Sequence, residues 1–209
     1  MTGGRARIAG PVSAMYDAFM SPAASSPAQH RFTREEYHRM GEAGLFANER
    51  VELLDGAIIT MSPQKSAHAS AVSRAAYSLI RLLGSSFLVR AQLPIVLDDW
   101  SEPEPDVAIC APEPTHYQSA HPTAADALLV LEIAESSLAY DRGQKAAAYA
   151  RSGIPMYCVV DLTARQVEVM TERDRAAGRH RRSEIRTEGQ DLPLPGGAAL
   201  ALAEILPAR

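Results

Sequence analysis

The stretch LLVLEIAESSLAYDRGQKAAAYARSGIPMYCVVDL, from Leu128 to Leu162, constrains the fold more than any other part of the chain. It opens on a near-continuous apolar run, Leu128 to Leu131, is interrupted by Glu132, and resumes at Ile133 and Ala134. Such a run, closed by polar and turn-forming residues, reads as a strand buried on both faces, although period alone also admits a helix. A helix from Asp141 and a second apolar strand from Met156 follow, which makes a β-α-β unit. An ionised carboxylate inside the first strand is expensive unless something pairs with it or coordinates it.

The whole chain is long enough for one well-packed domain with some tail. It has 209 residues, 46% of them apolar and 22% charged. That is too little for two full-sized domains. A net charge of -4 gives no global basic field to draw the protein to nucleic acid or a membrane. Any nucleic-acid contact must therefore come from a local patch. Cys110 and Cys158 both sit in apolar segments and form no CxxC pair, which argues against a disulfide framework or a zinc site and fits a reducing compartment. No stretch is long and apolar enough to span a membrane, and the N-terminus lacks a signal-peptide core, so a soluble cytoplasmic protein is expected.

Taken in order, residues 1–30 are rich in Ala, Ser, Pro and Gly and read as a flexible extension, with the domain proper over 31–209. Thr33-Arg34-Glu35-Glu36 is a capping box that opens a short helix to about Ala43. Val51 to Met61 is a hairpin turned at Asp55-Gly56. Apolar residues at helical spacing predict a helix over Ser66 to Leu83, stopped by Gly84. Ser86 to Leu97 reads as one long strand with an edge or bulge at Pro94, and Asp106 to Cys110 as a short one. After the β-α-β unit come a hairpin, with strands at Gln166 to Met170 and Ser183 to Arg186, and a short helix over Ala199 to Leu206. This mixed order implies an α/β or α+β fold with a central mixed sheet.

Three residues stand out chemically. Asp106 follows Pro105 and begins an apolar strand, so its carboxylate should lie at a sheet end. Glu132 ends the most buried strand. Carboxylates at one end of neighbouring strands form a hard oxygen site suited to Mg²⁺ or Mn²⁺, to which the Ile133 carbonyl would add a third oxygen. Asp141 and Gln144 read as a capping box, which puts Lys145 in a first helical turn, where a cation opposes the helix dipole. Facing the ammonium toward carboxylates or a phosphate would explain that placement. Each residue also has a plainer reading: Asp106 as a turn residue, Glu132 as an edge or salt-bridged acid, Lys145 as a solvated side chain or a partner of Asp141.

The segments Glu52-Leu53-Leu54-Asp55-Gly56, Met61-Ser62-Pro63, Pro105-Asp106-Val107, Leu131-Glu132-Ile133 and Asp141-Arg142-Gly143-Gln144-Lys145, with Tyr149-Ala150, Gly153-Ile154-Pro155 and Val159-Val160-Asp161, resemble a bacterial family. It is a widespread family of restriction-endonuclease-like proteins within the PD-(D/E)XK nuclease superfamily, and the resemblance runs from about Arg31 to the C-terminus. It implies a restriction-endonuclease-like core: a central mixed β-sheet flanked by helices, with hairpins at the edges and a divalent metal site. By that resemblance Asp106 and Glu132 are metal ligands, Glu52 is an additional acid completing the site, and Lys145 replaces the lysine usually two residues after the second acid, where this chain has Ala134. His68 borders the site or is a surface histidine.

The expected function is metal-dependent hydrolysis of DNA phosphodiesters, with Mg²⁺ or Mn²⁺ as cofactor and Lys145 orienting the attacking water. The rival is a catalytically inactive nuclease-fold protein that serves as a nucleic-acid-binding or assembly module. The cluster Arg173, Arg175, Arg179, Arg181 and Arg182 either grips phosphates or makes a charged, soluble turn with Glu172 and Asp174. Exposed edge hairpins would also support a homodimer.

Overall fold

A computed structural model describes residues 28–208. The expected N-terminal extension lies, up to residue 27, outside the described residues. Helix α1 (Arg34–Glu42) is opened by the full capping box, with the Thr33 hydroxyl taking the Glu36 N–H and the Glu36 carboxylate taking the Thr33 N–H. Strands β1 (Val51–Leu54) and β2 (Ala57–Thr60) pair antiparallel around Asp55 and Gly56. Both turn residues have positive φ, 52° and 77°, the backbone that a two-residue hairpin of this hand requires. Helix α2 (Ser66–Leu83) follows, stopped by Gly84 as expected.

The central sheet is built from β3 (Leu88–Ala91), β4 (Val107–Cys110), β5 (Ala127–Ala134), β6 (Tyr157–Asp161), β7 (Gln166–Asp174) and β8 (Arg179–Thr187). They lie side by side in that order. All neighbours are antiparallel except β5 and β6, which the crossover segment 138–152, here α3, makes parallel. A short pair, β9 (Asp191–Pro193) with β10 (Ala199–Ala201), and helix α4 (Leu202–Ile205) close the chain.

Alternation along β5 sorts its side chains into two layers. Leu129, Leu131 and Ile133 face α2 and the C-terminal β9–β10–α4 unit, in a core with Val107, Ile109, Cys158 and Val160. Val130 and Ala134 face the other way, with Tyr149, Ile154, Tyr157 and Val159 under α3. Glu132 shares this second face and emerges beneath α3 at the end of the strand.

Three local expectations change. The strand expected over Ser86 to Leu97 ends at Ala91, because Gln92 turns to a φ of 53° and donates its N–H to the Pro105 and Asp106 carbonyls. The helix expected from Ala199 begins only at Leu202; the three residues before it pair with β9 and bury Leu200. Helix α3 starts at Leu138, so Asp141 lies inside it and makes no capping box. Its run is an α turn (Leu138–Tyr140), a π turn (Asp141–Lys145) and an α-helix (Ala146–Ser152). The expected C-terminal hairpin is longer, and its charged residues lie mostly in β7 and β8 rather than at a tip. Edge strand β8 carries Arg179, Arg181, Arg182, Glu184 and Arg186, the kind of charge that discourages strand addition at an open edge.

Candidate active site

β4 and β5 pair so that Val107 stands opposite Leu131, which brings the residue before β4 beside the end of β5. Asp106 therefore meets the Glu132–Ile133 peptide. Its Oδ2 accepts the Ile133 N–H at 2.8 Å, and its own N–H donates to Glu132 Oε2 at 3.3 Å. The two carboxylates are thus locked to each other's backbone. Upstream of Pro105 the chain pairs with β1 instead, the Glu102 N–H donating to the Leu53 carbonyl at 2.8 Å. Glu102 is buried against Arg34 and His38 from α1, at 2.6 and 3.2 Å.

Lys145 reaches the same place from α3. Its Nζ lies 2.9 Å from Glu132 Oε1 and 3.2 Å from Glu52 Oε1, with its side chain only 6% exposed. The π turn is what aims it. One extra residue per turn swings the following helix face by about 100° relative to a regular α-helix, and such turns recur at functional sites. Tyr149, four residues on and so on the same face, donates its hydroxyl to the same Glu132 oxygen at 2.9 Å. Lys145 does not oppose a helix N-terminus as expected, since three helical residues precede Asp141 and the lysine ends a turn rather than begins one. Its convergence on Glu132 across residues 135–140 stands on distance alone.

Glu52 comes from β1. Its Oε1 shares the Lys145 amine and takes the Tyr140 hydroxyl at 3.5 Å, and its Oε2 accepts the Glu104 N–H at 3.1 Å. It stands on the ammonium side of the site, away from the Asp106 backbone contacts. Asp141 is buried nearby, its Oδ2 held by the Ser137 hydroxyl at 2.6 Å.

Four buried carboxylates, Glu52, Asp106, Glu132 and Asp141, surround one buried ammonium. The imbalance has an electrostatic signature. Burial pushes the Glu132 carboxyl up to about 8 against the pull of Lys145, with Asp106, Asp141 and Glu52 adding to the rise. Burial also raises Asp141, opposed by the Ser137 hydrogen bond and Lys145. For Lys145 burial disfavours the charge, but Glu132 and Glu52 outweigh it and hold the amine above the ordinary lysine range.

These groups form the floor of a cleft of about 530 Å³, walled by β2, the 61–65 loop, α2 and the 135–137 loop. Its cationic rim is already paired: Arg50 with Glu104 at 2.9 Å, and Lys65 with Glu135 at 3.1 Å. His68, in the first turn of α2, is an interior wall residue. Its Nε2 lies 3.1 Å from Asp106 Oδ1, and that hydrogen bond raises its proton affinity against the opposing effect of burial. Gln92 Nε2 approaches the same oxygen at 3.3 Å. Among the described residues no three His, Cys, Asp or Glu side chains are grouped closely enough to cage a metal ion by themselves. No helix among them is long and apolar enough to cross a membrane.

Sequence reasoning assigned no role to Tyr149 or Gln92. The helical spacing of Lys145 and Tyr149 would have pointed to the first. Gln92 gives no signal, because its place depends on the break after β3.

A six-stranded mixed sheet with helices on both faces, and acids and a lysine gathered at the end of its central parallel pair, defines a restriction-endonuclease-like fold. The chain belongs to the Uma2 family, described as "Putative restriction endonuclease", which matches residues 34–204. Among solved structures it is similar in fold to one titled as a putative nuclease of the DUF820 group from Anabaena variabilis ATCC 29413. The TM-score is 0.60 at 13% identity, over 83% of this chain and 97% of that one. No curated protein matches the chain.

Proposed function

We propose that the cleft hydrolyses phosphodiester bonds in DNA with a divalent ion, Mg²⁺ or Mn²⁺, held by Asp106 and Glu132. The observation that carries this reading is the meeting of Asp106, Glu132 and Lys145 on the floor of one cleft, with Glu132 hydrogen-bonded to both of the others. Membership of a family described as restriction endonucleases supplies the reaction class.

The residues fit such an ion by their chemistry. The donors are hard oxygens, and the buried acids outnumber the buried cation, so an added positive charge would offset the burial and neighbouring acids that raise the Glu132 carboxyl. The lack of a three-residue cage is consistent with Mg²⁺, which usually keeps several waters and takes one or two carboxylates plus substrate phosphate. Bound there, the ion would supply Lewis-acid charge to the phosphate and ease deprotonation of a water.

The chain's own groups do the rest. Lys145, held charged by Glu132 and Glu52, orients the attacking water and offsets charge developing on the phosphoryl oxygens. Glu52 fixes the ammonium from the side opposite Glu132 and completes the acidic site. Tyr149 holds Glu132 in one rotamer. Arg50 and Lys65, already at the mouth, are placed to exchange their acidic partners for phosphates of the strand entering the cleft.

A rival reading has its own support. Every acid on the floor already has protein partners, which is also what a self-contained ion-pair network in an inactive, nucleic-acid-binding or assembly module would look like. Purified protein with plasmid DNA and Mg²⁺ or Mn²⁺ separates the two. Cleavage lost in Glu132→Ala supports the nuclease; no cleavage, or cleavage that survives the substitution, favours the module.

A further inference from the structure

Gln92 holds a backbone conformation that its residue type disfavours. Its φ is 53°, in the left-handed region that side chains other than Asn and Asp seldom adopt without strain. Among the described residues, Asp55, His116, Tyr117, Arg165 and Glu172 also have positive φ. Asp55 and Arg165 turn hairpins, His116 and Tyr117 lie in the loop between β4 and β5, and Glu172 interrupts the β7–β8 register between Thr171 and Arg173. Gln92 differs from all of these in what its side chain reaches. Its Nε2 donates to Asp106 Oδ1, on the cleft floor, at 3.3 Å.

The turn at Gln92 is built around Asp106. β3 pairs with β4 up to Ala91 and Val107, so a straight continuation would set Gln92 opposite Asp106 as one more rung of the ladder. Instead the Gln92 N–H donates to the Pro105 carbonyl at 3.2 Å and the Asp106 carbonyl at 3.1 Å, and the side chain folds onto the Asp106 carboxylate. One residue thus grips Asp106 by its backbone and by its side chain. Glycine would take the same turn without strain. What glutamine adds is the amide.

The three donors to the Asp106 carboxylate are not equivalent. Oδ2 is tied back into β5 by the Ile133 N–H at 2.8 Å. Oδ1 is met by His68 Nε2 at 3.1 Å and by Gln92. His68 donates there only in one tautomer or when protonated, whereas the amide is a donor at every pH. His68 lines the cleft and Gln92 does not, so Gln92 acts through Asp106 and not on a substrate. We infer that Gln92 is a positioning residue, whose amide fixes the plane of the Asp106 carboxylate so that Oδ1 keeps one direction whatever the state of His68. This rests on the reading of Asp106 as an active-site acid given above.

Ile133 reports that hold without turnover, because its N–H ends on Asp106. Native-state amide hydrogen exchange is compared for wild type, Gln92→Gly and Gln92→Glu, with cleavage kinetics alongside. Gln92→Gly suits the turn and keeps its N–H but lacks the amide. Gln92→Glu keeps the shape and sets an acceptor against the carboxylate. In both, Ile133 should exchange about 10-fold faster or more, the weight of one hydrogen bond to a charged group, while the other amides of β5 and β6 exchange as in wild type. Cleavage should fall by about 10–100-fold in kcat with KM unchanged, the usual effect of removing a group that orients a catalytic one. A rise in exchange shared by all the amides of these strands makes Gln92 a structural residue only, and overturns the inference. Ile133 exchange at the wild-type rate overturns it too, as does faster exchange with kcat unchanged. Faster exchange at Ile133 in a protein that cuts no DNA overturns the nuclease reading and leaves the hold of Gln92 on Asp106 standing.

Discussion

Lys145 Nζ meets Glu132 Oε1 at 2.9 Å from the last residue of a π turn, and Tyr149, one helical turn further on, meets the same oxygen at the same distance. Two donors four residues apart converge on one acceptor only if the helix face they share is turned to the strand end. The extra residue in Asp141–Lys145 is what turns it. In a small buried site this makes the ammonium a fixed element, held by Glu132 and Glu52 and covered by the Tyr140 ring 5.9 Å away.

Removing that ammonium should therefore cost stability. Lys145→Met, measured above about pH 8 where Glu132 is ionised, leaves Glu132 and Glu52 facing each other without a counter-charge, and breaking a buried pair from one side typically costs about 3–5 kcal/mol. Adding Glu132→Gln removes one of the stranded charges, so the double variant should recover part of the loss. Urea denaturation of both singles and the double gives the coupling. A coupling near zero would mean that the two groups do not depend on each other, against the 2.9 Å contact.

Acidity provides a second handle on Glu132. Its carboxyl, raised by burial from 4.5 to about 8, binds a proton more tightly in the folded chain than in the unfolded one. Its contribution to stability is then fully present below about pH 4.5 and is lost as pH rises through about 8. Wild type should lose stability relative to Glu132→Gln across that window, by an amount on the order of a few kcal/mol. Denaturation midpoints of the two proteins at pH 5.5, 7 and 8.5 measure it. His68, raised chiefly by its Asp106 hydrogen bond, slopes the same way but is common to both proteins and cancels in the difference. A difference that stays flat from about pH 5.5 to 8.5 would show that Glu132 is charged in the folded chain throughout, and would overturn the raised carboxyl.

Much of this arrangement was legible in the sequence, for identifiable reasons. An apolar run as long as Leu128 to Ala134 can only be a buried element, so the charge inside it had to be satisfied. Asp55-Gly56, Thr33 with Glu36, and Gly84 are local signals whose physics acts within a few residues, and each gave the element expected. The failures came where distant parts of the chain decide. Nothing in Asp141 to Lys145 marks one added residue in a helical turn, and Asp141 resembles a cap because the turn before it, Leu138–Tyr140, carries no helical signal of its own; Ser137, just ahead of that turn, bonds the Asp141 carboxylate. Gln92 breaks the strand after Ala91 to bond the carbonyls of Pro105 and Asp106, partners that local pattern cannot show. The same break carries Gln92 to the Asp106 carboxylate.

Gly143 offers a change inside the π turn that leaves its geometry alone. It lies in helical backbone with nothing within 4 Å of where a Cβ would stand. Gly143→Ala should stabilise the protein by about 0.4–1 kcal/mol through the reduced entropy of the unfolded chain. Thermal and urea unfolding would register this as a small rise. A loss of stability would indicate that the turn needs glycine for conformational reasons, which its backbone angles do not suggest.

The arginines of the β7–β8 hairpin, Arg175 in its turn included, divide into two groups that a salt titration should separate. Arg181 is paired with Asp174, and Arg182 and Arg186 with Glu184, so their charge is largely spent within the hairpin. Arg173 and Arg175 form no salt bridge among the described residues, and both line a second cleft of about 600 Å³ beside Gly153 and Pro155. Arg175 is held there by its Nε bond to the Arg151 carbonyl at 3.1 Å, which leaves the far end of its guanidinium outward. Each phosphate contact contributes about 0.9 to the slope of log affinity against log salt for duplex DNA. Replacing Arg173 and Arg175 by alanine should lower DNA retention at low salt and flatten that slope by roughly 1–2. The same replacement at Arg181 and Arg182 should leave the slope within error of wild type, because those guanidinia would have to abandon carboxylates to reach a phosphate. Retention curves of the two double variants on one DNA, from low to moderate salt, decide it. Equal effects from both pairs would mean that the hairpin acts only through its overall charge.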